Sequence, residues 1–165
     1  MASIQNSADS GRQTDSAYLK SAMDVLKRLG FRLTKPRLRV LTLLDTLAQP
    51  VSAYEIRDRL LAEQTPVDIV SVYRILECLE QNGLIHRLLS SGKVQKCQLE
   101  QETCCATPHQ ADHCHHLFIC ERCHTVNEVH CPLALGDLVR TMANTLGFRV
   151  SRHSVEVFGL CSACN

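Results

Sequence analysis

Two Cys-x-x-Cys pairs constrain the fold of this chain more than any other feature of its sequence. The first pair is Cys120 and Cys123, and the second is Cys161 and Cys164. Each pair can supply two thiolates to one tetrahedral zinc ion, with Zn–S bonds of about 2.3 Å. The residues between the pairs have the pattern strand, helix, strand, which can bring the pairs together. We therefore expect a structural zinc site made of these four cysteines.

Two other kinds of cysteine chemistry are alternatives to structural zinc. A thioredoxin-like redox pair is the main alternative, but neither pair is predicted to open a helix after a strand, as that chemistry requires. A zinc deaminase needs His-x-Glu ahead of Pro-Cys-x-x-Cys, and no His-x-Glu occurs in the chain.

The first pair lies in an unusually dense segment of histidines and cysteines, HCHHLFICERCHTVNEVHC, residues 113–131. Four thiolates fill the coordination sphere of one zinc, so the other potential ligands need a separate explanation. These potential ligands are His86, Cys97, His109, His113, Cys114, His115, His116, His124, Glu128, His130 and Cys131. A mixed set of nitrogen, sulfur and oxygen ligands from both halves of the chain would form a second site. Taken one at a time, each histidine is more often an ordinary polar residue.

The N-terminus bears on the redox state of these thiols. Ten cysteines in 165 residues would suit a disulfide-bonded secreted protein. Residues 1–17, however, contain neither the basic segment nor the apolar run of a signal peptide, and we interpret them as a disordered polar lead. No stretch approaches the roughly 18 apolar residues of a membrane span. We therefore expect a cytoplasmic protein with reduced thiols and no membrane partner.

Residues 18–100 have the order of elements found in a winged helix-turn-helix domain. Apolar stripes at helical spacing predict four helices, with Thr34, a Ser52–Glu55 capping box and Asp68 as N-terminal caps of the last three. Two short strands, LIHRLL and KVQKCQL, follow as the wing, joined by a tight turn at residues 90–92. The whole chain has a formal net charge of only +1, but its charges are unevenly spread, with six basic residues and no acidic one between Asp24 and Asp45. This stretch suits nucleic acid, although a solvated helix face explains it equally well.

Residues 113–165 predict a second, smaller domain after a hinge at residues 101–112. The runs HLFIC and TVNEVH indicate strands, Pro132 opens a helix, and VSRHSVEVFGL alternates like a further strand. A domain this short cannot bury a large core, so it should need a metal, a partner subunit, or both.

In this order, five stretches resemble the ferric uptake regulator family of metal-dependent repressors. They are LTKPRLRVL, VSAYEIRDRL, SVYRILECLEQNGLIHRL, HHLFICERCHTVNEV and GLCSAC, and the resemblance covers nearly the whole chain from about Leu19. It implies an α+β fold, with an N-terminal winged helix-turn-helix followed by a small α/β dimerisation domain. It also implies a homodimer that binds double-stranded DNA and senses a divalent metal, rather than an enzyme.

Within the family, the chain most resembles the zinc-responsive branch. That resemblance implies a regulatory zinc site of His86, Cys97, His113 and Glu128, and hence two zinc ions per subunit. Zinc would act as corepressor, bridging the two domains so that the homodimer binds a palindromic operator of zinc-uptake genes. A thiolate with imidazoles also favours zinc over iron or manganese. An iron- or manganese-responsive member of the family remains the nearer alternative, and a thiol- or zinc-dependent oxidoreductase the more distant one.

The resemblance further implies DNA contacts by four residues: Arg32, Tyr54, Tyr73 and Arg74. An arginine early in a recognition helix can bind guanine O6 and N7, and a tyrosine can pack on a thymine methyl group. For Tyr54, simple packing against the second helix is the alternative.

Several positions depart from the family pattern. Ser71 replaces the usual threonine, and His124 replaces the usual glycine after the first cysteine pair. Leu135 stands where an acidic ligand of a further metal site is expected, which argues against such a site at Cys114, His115, His116 and His153. In the hinge, Cys104, Cys105 and His109 match no ligand of the family and are interpreted as loop residues.

Overall fold

A computed structural model of the chain describes residues 16–98, 115–130, 135–150 and 153–165. Most of the predicted polar lead and the whole predicted hinge lie outside these residues. So do several predicted or candidate site residues, namely His113, Cys114, Cys104, Cys105, His109 and Cys131.

The first described stretch folds as four helices followed by a two-stranded wing. The helices are α1 (Ala17–Arg28), α2 (Lys35–Thr46), α3 (Ala53–Ala62) and α4 (Ile69–Gln81), and the strands are β1 (Ile85–Arg87) and β2 (Val94–Lys96). The strands pair antiparallel, with His86 opposite Gln95. This is the winged helix-turn-helix order that the sequence predicted, although both wing strands are shorter than expected.

The predicted helix caps are confirmed. The Thr34 hydroxyl accepts from the backbone N–H of Arg37, and the Asp68 carboxylate accepts from the backbone N–H of Ser71 at 2.9 Å. Ser52 and Glu55 form both hydrogen bonds of a capping box. These caps satisfy N–H groups that the first turn of a helix leaves unbonded, and so define where α2, α3 and α4 begin.

The helices and the wing enclose a core of aliphatic side chains. Its largest fully buried members are Leu26, Leu41, Leu44, Ile56, Leu60, Leu76, Leu79, Leu84 and Ile85. Val72, Ile75, Leu76 and Leu79 of α4 point into this core, while Tyr73 remains 45% exposed. Helix α4 therefore buries its apolar stripe and exposes the opposite face, as predicted.

The C-terminal residues form a three-stranded sheet and one helix. The strands are β3 (His115–Cys120), β4 (Val126–His130) and β5 (Val155–Gly159), and the helix is α5 (Leu135–Thr145). The strand order is β4-β3-β5, with β3 antiparallel to β4 and parallel to β5. The last strand begins at Val155, later than the alternation of residues 150–160 suggested. Residue 132, where the helix was predicted to open, lies outside the described residues.

The wing packs on one face of this sheet. Leu88, just after β1, is buried in a cluster with Leu117, Ile119 and Val126 of the sheet. The opposite face carries exposed apolar side chains, among them Phe118, Val129 and Val157. None of the described helices has the length and apolar character needed to cross a membrane.

Candidate metal centres

The two Cys-x-x-Cys pairs meet at one end of the sheet. Cys120 ends β3 and is opposite Gly159, the last residue of the parallel strand β5, so the turns after both strands lie side by side. Four sulfur atoms lie within 4.8 Å of one another, those of Cys120, Cys123, Cys161 and Cys164. The Sγ atoms of Cys123 and Cys161 are 3.6 Å apart. Four Zn–S bonds of about 2.3 Å in a tetrahedron require sulfurs about 3.8 Å apart, so the quartet fits a zinc ion.

Hydrogen bonds divide the negative charge unevenly among these thiols. Backbone N–H groups of Cys123 and Cys161 point at the Cys120 sulfur and lower the pKa of its thiol to about 5. The hydrogen bonds with Cys161 and Cys123, by contrast, raise the pKa of Cys164 to about 12. Clustered thiols resist ionising together because their charges repel, and only a bound cation removes that penalty.

Neither pair opens a helix. Cys120–Cys123 forms a turn between β3 and β4, and Cys161–Cys164 forms a turn after β5. A redox pair of the thioredoxin type relies on the N-terminus of a helix to activate one thiol. Each pair lies in a turn, an arrangement that suits metal binding better than redox chemistry.

A second group of potential ligands lies between the wing and the sheet. His86 comes from β1, Cys97 follows β2, and Glu128 comes from β4, yet one donor atom of each lies within 4.8 Å of the others. The His86 Nε2 is 2.7 Å from Glu128 Oε1, and the Cys97 Sγ is 3.4 Å from the same oxygen. A tetrahedral zinc with bonds of about 2.0 Å places nitrogen and oxygen ligands about 3.3 Å apart, so His86 and Glu128 must separate slightly to admit the ion.

The charge state of this second group is set by burial and by its own contacts. Burial disfavours the imidazolium of His86, but hydrogen bonds and charge from Cys97 and Glu128 outweigh it and raise the pKa of His86 to about 9. The Glu128 side chain is 1% exposed, and its other oxygen accepts from the backbone N–H of Gln98 at 2.7 Å. The proton of His86 therefore occupies the place that a metal would take, and metal binding must release it.

The fourth residue predicted for this second group, His113, lies outside the described residues. Within the described residues, the cysteine quartet and the His86–Cys97–Glu128 group are the two clusters of three or more potential ligands. A further site that includes His116 and His153 does not appear among those clusters.

Three glutamines at this interface were not predicted from the sequence. The Gln49 amide donates to the Cys123 carbonyl oxygen at 3.3 Å, which joins the α2–α3 loop to the first cysteine turn. The Gln95 and Gln98 amides both reach the Val126 carbonyl oxygen, at 3.4 and 3.5 Å. Glutamines are common on protein surfaces, and no pattern in the sequence distinguishes these from the others.

The residues predicted to contact DNA lie on the outer surface of the helices. Tyr54 at the start of α3 and Tyr73 on α4 are exposed, and their rings meet edge to face with centroids 6.4 Å apart. Arg74 is exposed beside Tyr73 on α4, and Arg32 is exposed just before α2. Tyr54 packs against Tyr73 and lies under the guanidinium of Arg57 at 5.3 Å. These contacts leave Tyr54 largely exposed, and its contact with DNA stays a prediction, as does the alternative of packing against the second helix.

Comparison with known proteins agrees with this arrangement. Residues 28–158 match the ferric uptake regulator family. The chain is 31% identical to the zinc uptake regulation protein of Escherichia coli (strain K12), over 93% of this chain and 84% of that protein. It is also 31% identical to a ferric uptake regulation protein of Neisseria meningitidis, over 84% of this chain and 90% of that protein. A solved structure described as a zinc uptake regulator complexed with zinc and DNA is similar, with a TM-score of 0.76 and 30% identity over 90% of this chain and 95% of that one. The chain belongs to the ferric uptake regulator family.

Proposed function

We propose that the chain is a zinc-responsive transcriptional repressor. Zinc is the corepressor, and the zinc-bound homodimer binds a palindromic operator of zinc-uptake genes. The observation that carries this proposal is the group His86, Cys97 and Glu128, whose donor atoms come from two domains and lie within 4.8 Å of one another. A site divided in this way is complete in only one arrangement of the domains, so metal binding favours that arrangement.

The proposed regulatory ligands are His86, Cys97, His113 and Glu128. His113 lies two positions before the first residue of β3, and β3 pairs with the strand that carries Glu128. When bound, zinc would supply a divalent charge that holds all four donors together in place of the His86 proton. His86 and Cys97 then fix the wing, and through it the helices, to the sheet.

Two zinc ions per subunit are proposed, the second held by Cys120, Cys123, Cys161 and Cys164. Four thiolates leave no open coordination position, so this site is structural. Both sites need reduced thiols, which the cytoplasm maintains, and we propose that the protein acts there.

Zinc is favoured over iron and manganese by the donor atoms. Equal identities of 31% to a zinc regulator and to a ferric regulator do not separate the metals. The thiolate of Cys97 does, because soft sulfur ligands suit zinc, whereas iron(II) and manganese prefer harder nitrogen and oxygen sets. A thiol-dependent oxidoreductase would need an accessible, low-pKa thiol outside a filled coordination sphere.

We propose that the sheet face opposite the wing forms the homodimer interface together with α5. Large apolar side chains are exposed there and near the end of the chain: Phe118, Val129, Leu138, Met142, Leu146, Phe148, Val157, Phe158 and Leu160. Exposed apolar residues at this density are typical of protein–protein interfaces. A dimer would place two copies of α4 at a fixed spacing, as a palindromic operator requires.

In the proposed complex, Tyr73 and Arg74 of α4 read bases in the major groove. Tyr54 contacts the DNA beside them, and Arg32 reaches the adjacent minor groove. The exposed positions of these four side chains support this reading, as does the basic stretch between Asp24 and Asp45. Such contacts make binding fall steeply with salt.

Zinc, iron(II) and manganese titrations of DNA binding test this function. The DNA is a palindromic fragment enriched from a random pool by the metal-loaded protein, and the titrations run in parallel under reducing conditions. We expect zinc to promote binding at the lowest free concentration. Promotion by iron or manganese at lower free concentration would instead support the alternative regulators, and catalytic turnover with no DNA binding would support the oxidoreductase.

Substituted variants test which residues produce the zinc-dependent binding of DNA. Cys97→Ser and His113→Ala should abolish zinc-dependent binding, whereas Cys78→Ser, at a cysteine outside both clusters, should retain it. Arg74→Ala should weaken binding by about 1–3 kcal/mol with zinc affinity unchanged. If Cys97→Ser and His113→Ala both kept the zinc response, the regulatory site would be wrongly assigned.

A further inference from the structure

The turn of the wing leaves two adjacent backbone N–H groups pointing away from the wing itself. Within the turn, the N–H of Leu88 bonds the Lys93 carbonyl oxygen, and the N–H of Gly92 bonds the Leu88 carbonyl oxygen, both at 2.8 Å. The N–H of Lys93 bonds the Ser91 hydroxyl oxygen. These bonds close the turn but use neither the N–H of Leu89 nor that of Ser90. Two neighbouring N–H groups directed the same way form a small binding site for an anion.

Glu156 of β5 supplies that anion. Its Oε1 accepts from the backbone N–H of Leu89 at 2.5 Å, and its Oε2 accepts from the backbone N–H of Ser90 at 3.2 Å. Each carboxylate oxygen therefore takes one N–H, and both bonds are assisted by the carboxylate charge. The contact joins residues 66 and 67 positions apart in the chain, across the interface between the wing and the sheet.

The register of the sheet places Glu156 in the same row as the proposed ligand Glu128. Leu117 of β3 is opposite Glu128 of β4 on one side and opposite Glu156 of β5 on the other. Residues opposite one another in a sheet project from the same face. The backbones that carry the two carboxylates thus lie about 10 Å apart, two strand spacings, and both side chains are on the face that the wing covers.

Between the two carboxylates the wing is held by apolar contact. Leu88 adjoins Leu89 and is 3% exposed, packed with Leu117, Ile119 and Val126. One end of the wing therefore meets Glu128 through His86 and Cys97, its middle is buried through Leu88, and its turn is bound by Glu156. Three separate attachments therefore hold the hairpin of the wing against the sheet.

We propose that Glu156 is a latch that positions the wing for metal binding without being a metal ligand. By holding the wing turn, it keeps His86 and Cys97 near Glu128 before zinc arrives, which lowers the cost of ordering the site. Its carboxylate also accepts the hydrogen bonds of the two turn N–H groups, so these N–H groups do not bind DNA phosphates. The inference rests on the proposed function for its regulatory consequence, while the contact itself rests on the two hydrogen bonds of Glu156.

Glu156→Gln in the full-length dimer tests the latch, since glutamine keeps the shape but loses the charge and one acceptor. Hydrogen exchange is measured at the Leu89 and Ser90 amides of protein loaded only at the cysteine site. Zinc affinity at the regulatory site is measured by chelator competition. We expect about tenfold faster exchange at both amides and about three- to tenfold weaker regulatory zinc binding, with zinc at the cysteine site retained. Glu63→Gln, at an exposed glutamate ending α3, is the matched control and should change neither quantity.

Two further readouts exclude a simple charge effect. A carboxylate on a neighbouring part of the sheet also attracts the cation directly, but salt weakens that attraction strongly at about 1 M, where the Debye length is about 3 Å. A loss of zinc affinity that persists in high salt supports the latch, and one that vanishes there overturns it. Unchanged amide exchange in Glu156→Gln also overturns it.

The direction in which Glu156→Gln changes DNA binding distinguishes a charge effect from loss of the latch. Removing a negative charge should strengthen binding to DNA, whereas loss of the latch should weaken zinc-dependent binding at limiting zinc. If the unsubstituted protein bound no DNA with any metal, the proposed function would fail. Hydrogen exchange, measured on protein loaded only at the cysteine site, would still decide whether Glu156 holds the wing turn.

Discussion

His124 has a backbone conformation that residues other than glycine seldom adopt. Its φ is 59°, in the left-handed region, and its N–H bonds the Cys120 carbonyl oxygen at 2.9 Å. Members of the family usually have glycine after the first cysteine pair, and this chain has His124 there. The chain makes a tight turn with this histidine, at a cost of about 1–2 kcal/mol in local strain.

His124→Gly should stabilise the zinc-loaded protein by up to about 1 kcal/mol, because relief of strain exceeds the extra entropy of glycine in the unfolded chain. The measurement is the free energy of unfolding in urea, with zinc content determined in parallel. His124→Ala is the matched control, since it removes the imidazole but keeps a Cβ at positive φ, and it should give no gain. A loss of bound zinc in either variant would mean that His124 is a ligand and not a strained turn residue.

At the scale of single elements, α4 depends on the residue that caps it. Asp68 accepts from Ser71, and hydrogen bonds from the Ser71 side chain and backbone lower the pKa of the Asp68 carboxyl. This helix carries Tyr73 and Arg74 in its first two turns, so its start determines where those side chains point. A carboxylate at a helix N-terminus is also stabilised by the helix dipole.

Asp68→Asn separates the charge of this cap from its hydrogen bond, because asparagine caps a helix about as well as aspartate. A carboxyl whose pKa is lower in the folded state stabilises that state at neutral pH, and loses this contribution as pH falls through its folded-state pKa. The difference in unfolding free energy between the two proteins should therefore be largest near neutrality and shrink below about pH 4. Urea unfolding at a series of pH values measures it. A difference that does not depend on pH would contradict the role of the charge.

At the scale of the molecule, the two domains differ greatly in the size of the apolar core that stabilises them. Among the described residues, the helices and wing bury a cluster of twenty apolar side chains, whereas the sheet cluster has four, one of them Leu88 from the wing. A metal site can contribute about 10–16 kcal/mol, as much as the whole stability of an ordinary domain. We therefore expect the C-terminal domain to depend on a metal bound by its four cysteines, and the winged helix to be stable without one.

Removing metal from the cysteine quartet should convert the dimer to a monomer whose α1–α4 remain folded. Cys164→Ser, or a strong chelator under reducing conditions, achieves the removal. Sedimentation reports the dimer, and far-ultraviolet circular dichroism reports the helices. Cys97→Ser is the control, because it disrupts only the regulatory site and should leave the dimer intact. A zinc-free quartet in a persistent dimer would contradict this dependence.

The sequence by itself determined the elements and the ligand types of this protein. Capping by Thr34, Ser52 and Asp68 is local, since each cap bonds a residue three positions away, and so it could be predicted from spacing. The cysteine quartet could be predicted for the same reason, because each pair is a short motif with one common geometry. The outward position of Tyr73 followed from the apolar stripe of α4.

Only the tertiary structure decided how the two domains meet. Sequence reasoning alone left His86, Cys97 and Glu128 among many potential ligands, and only the resemblance to a family grouped them. Packing of the wing on the sheet is what brings their donor atoms within 4.8 Å. The same packing brings Glu156 to the wing turn and Gln49 to the first cysteine turn. Such contacts join residues far apart in the chain through ordinary polar side chains, so no local periodicity or cap marks them in advance.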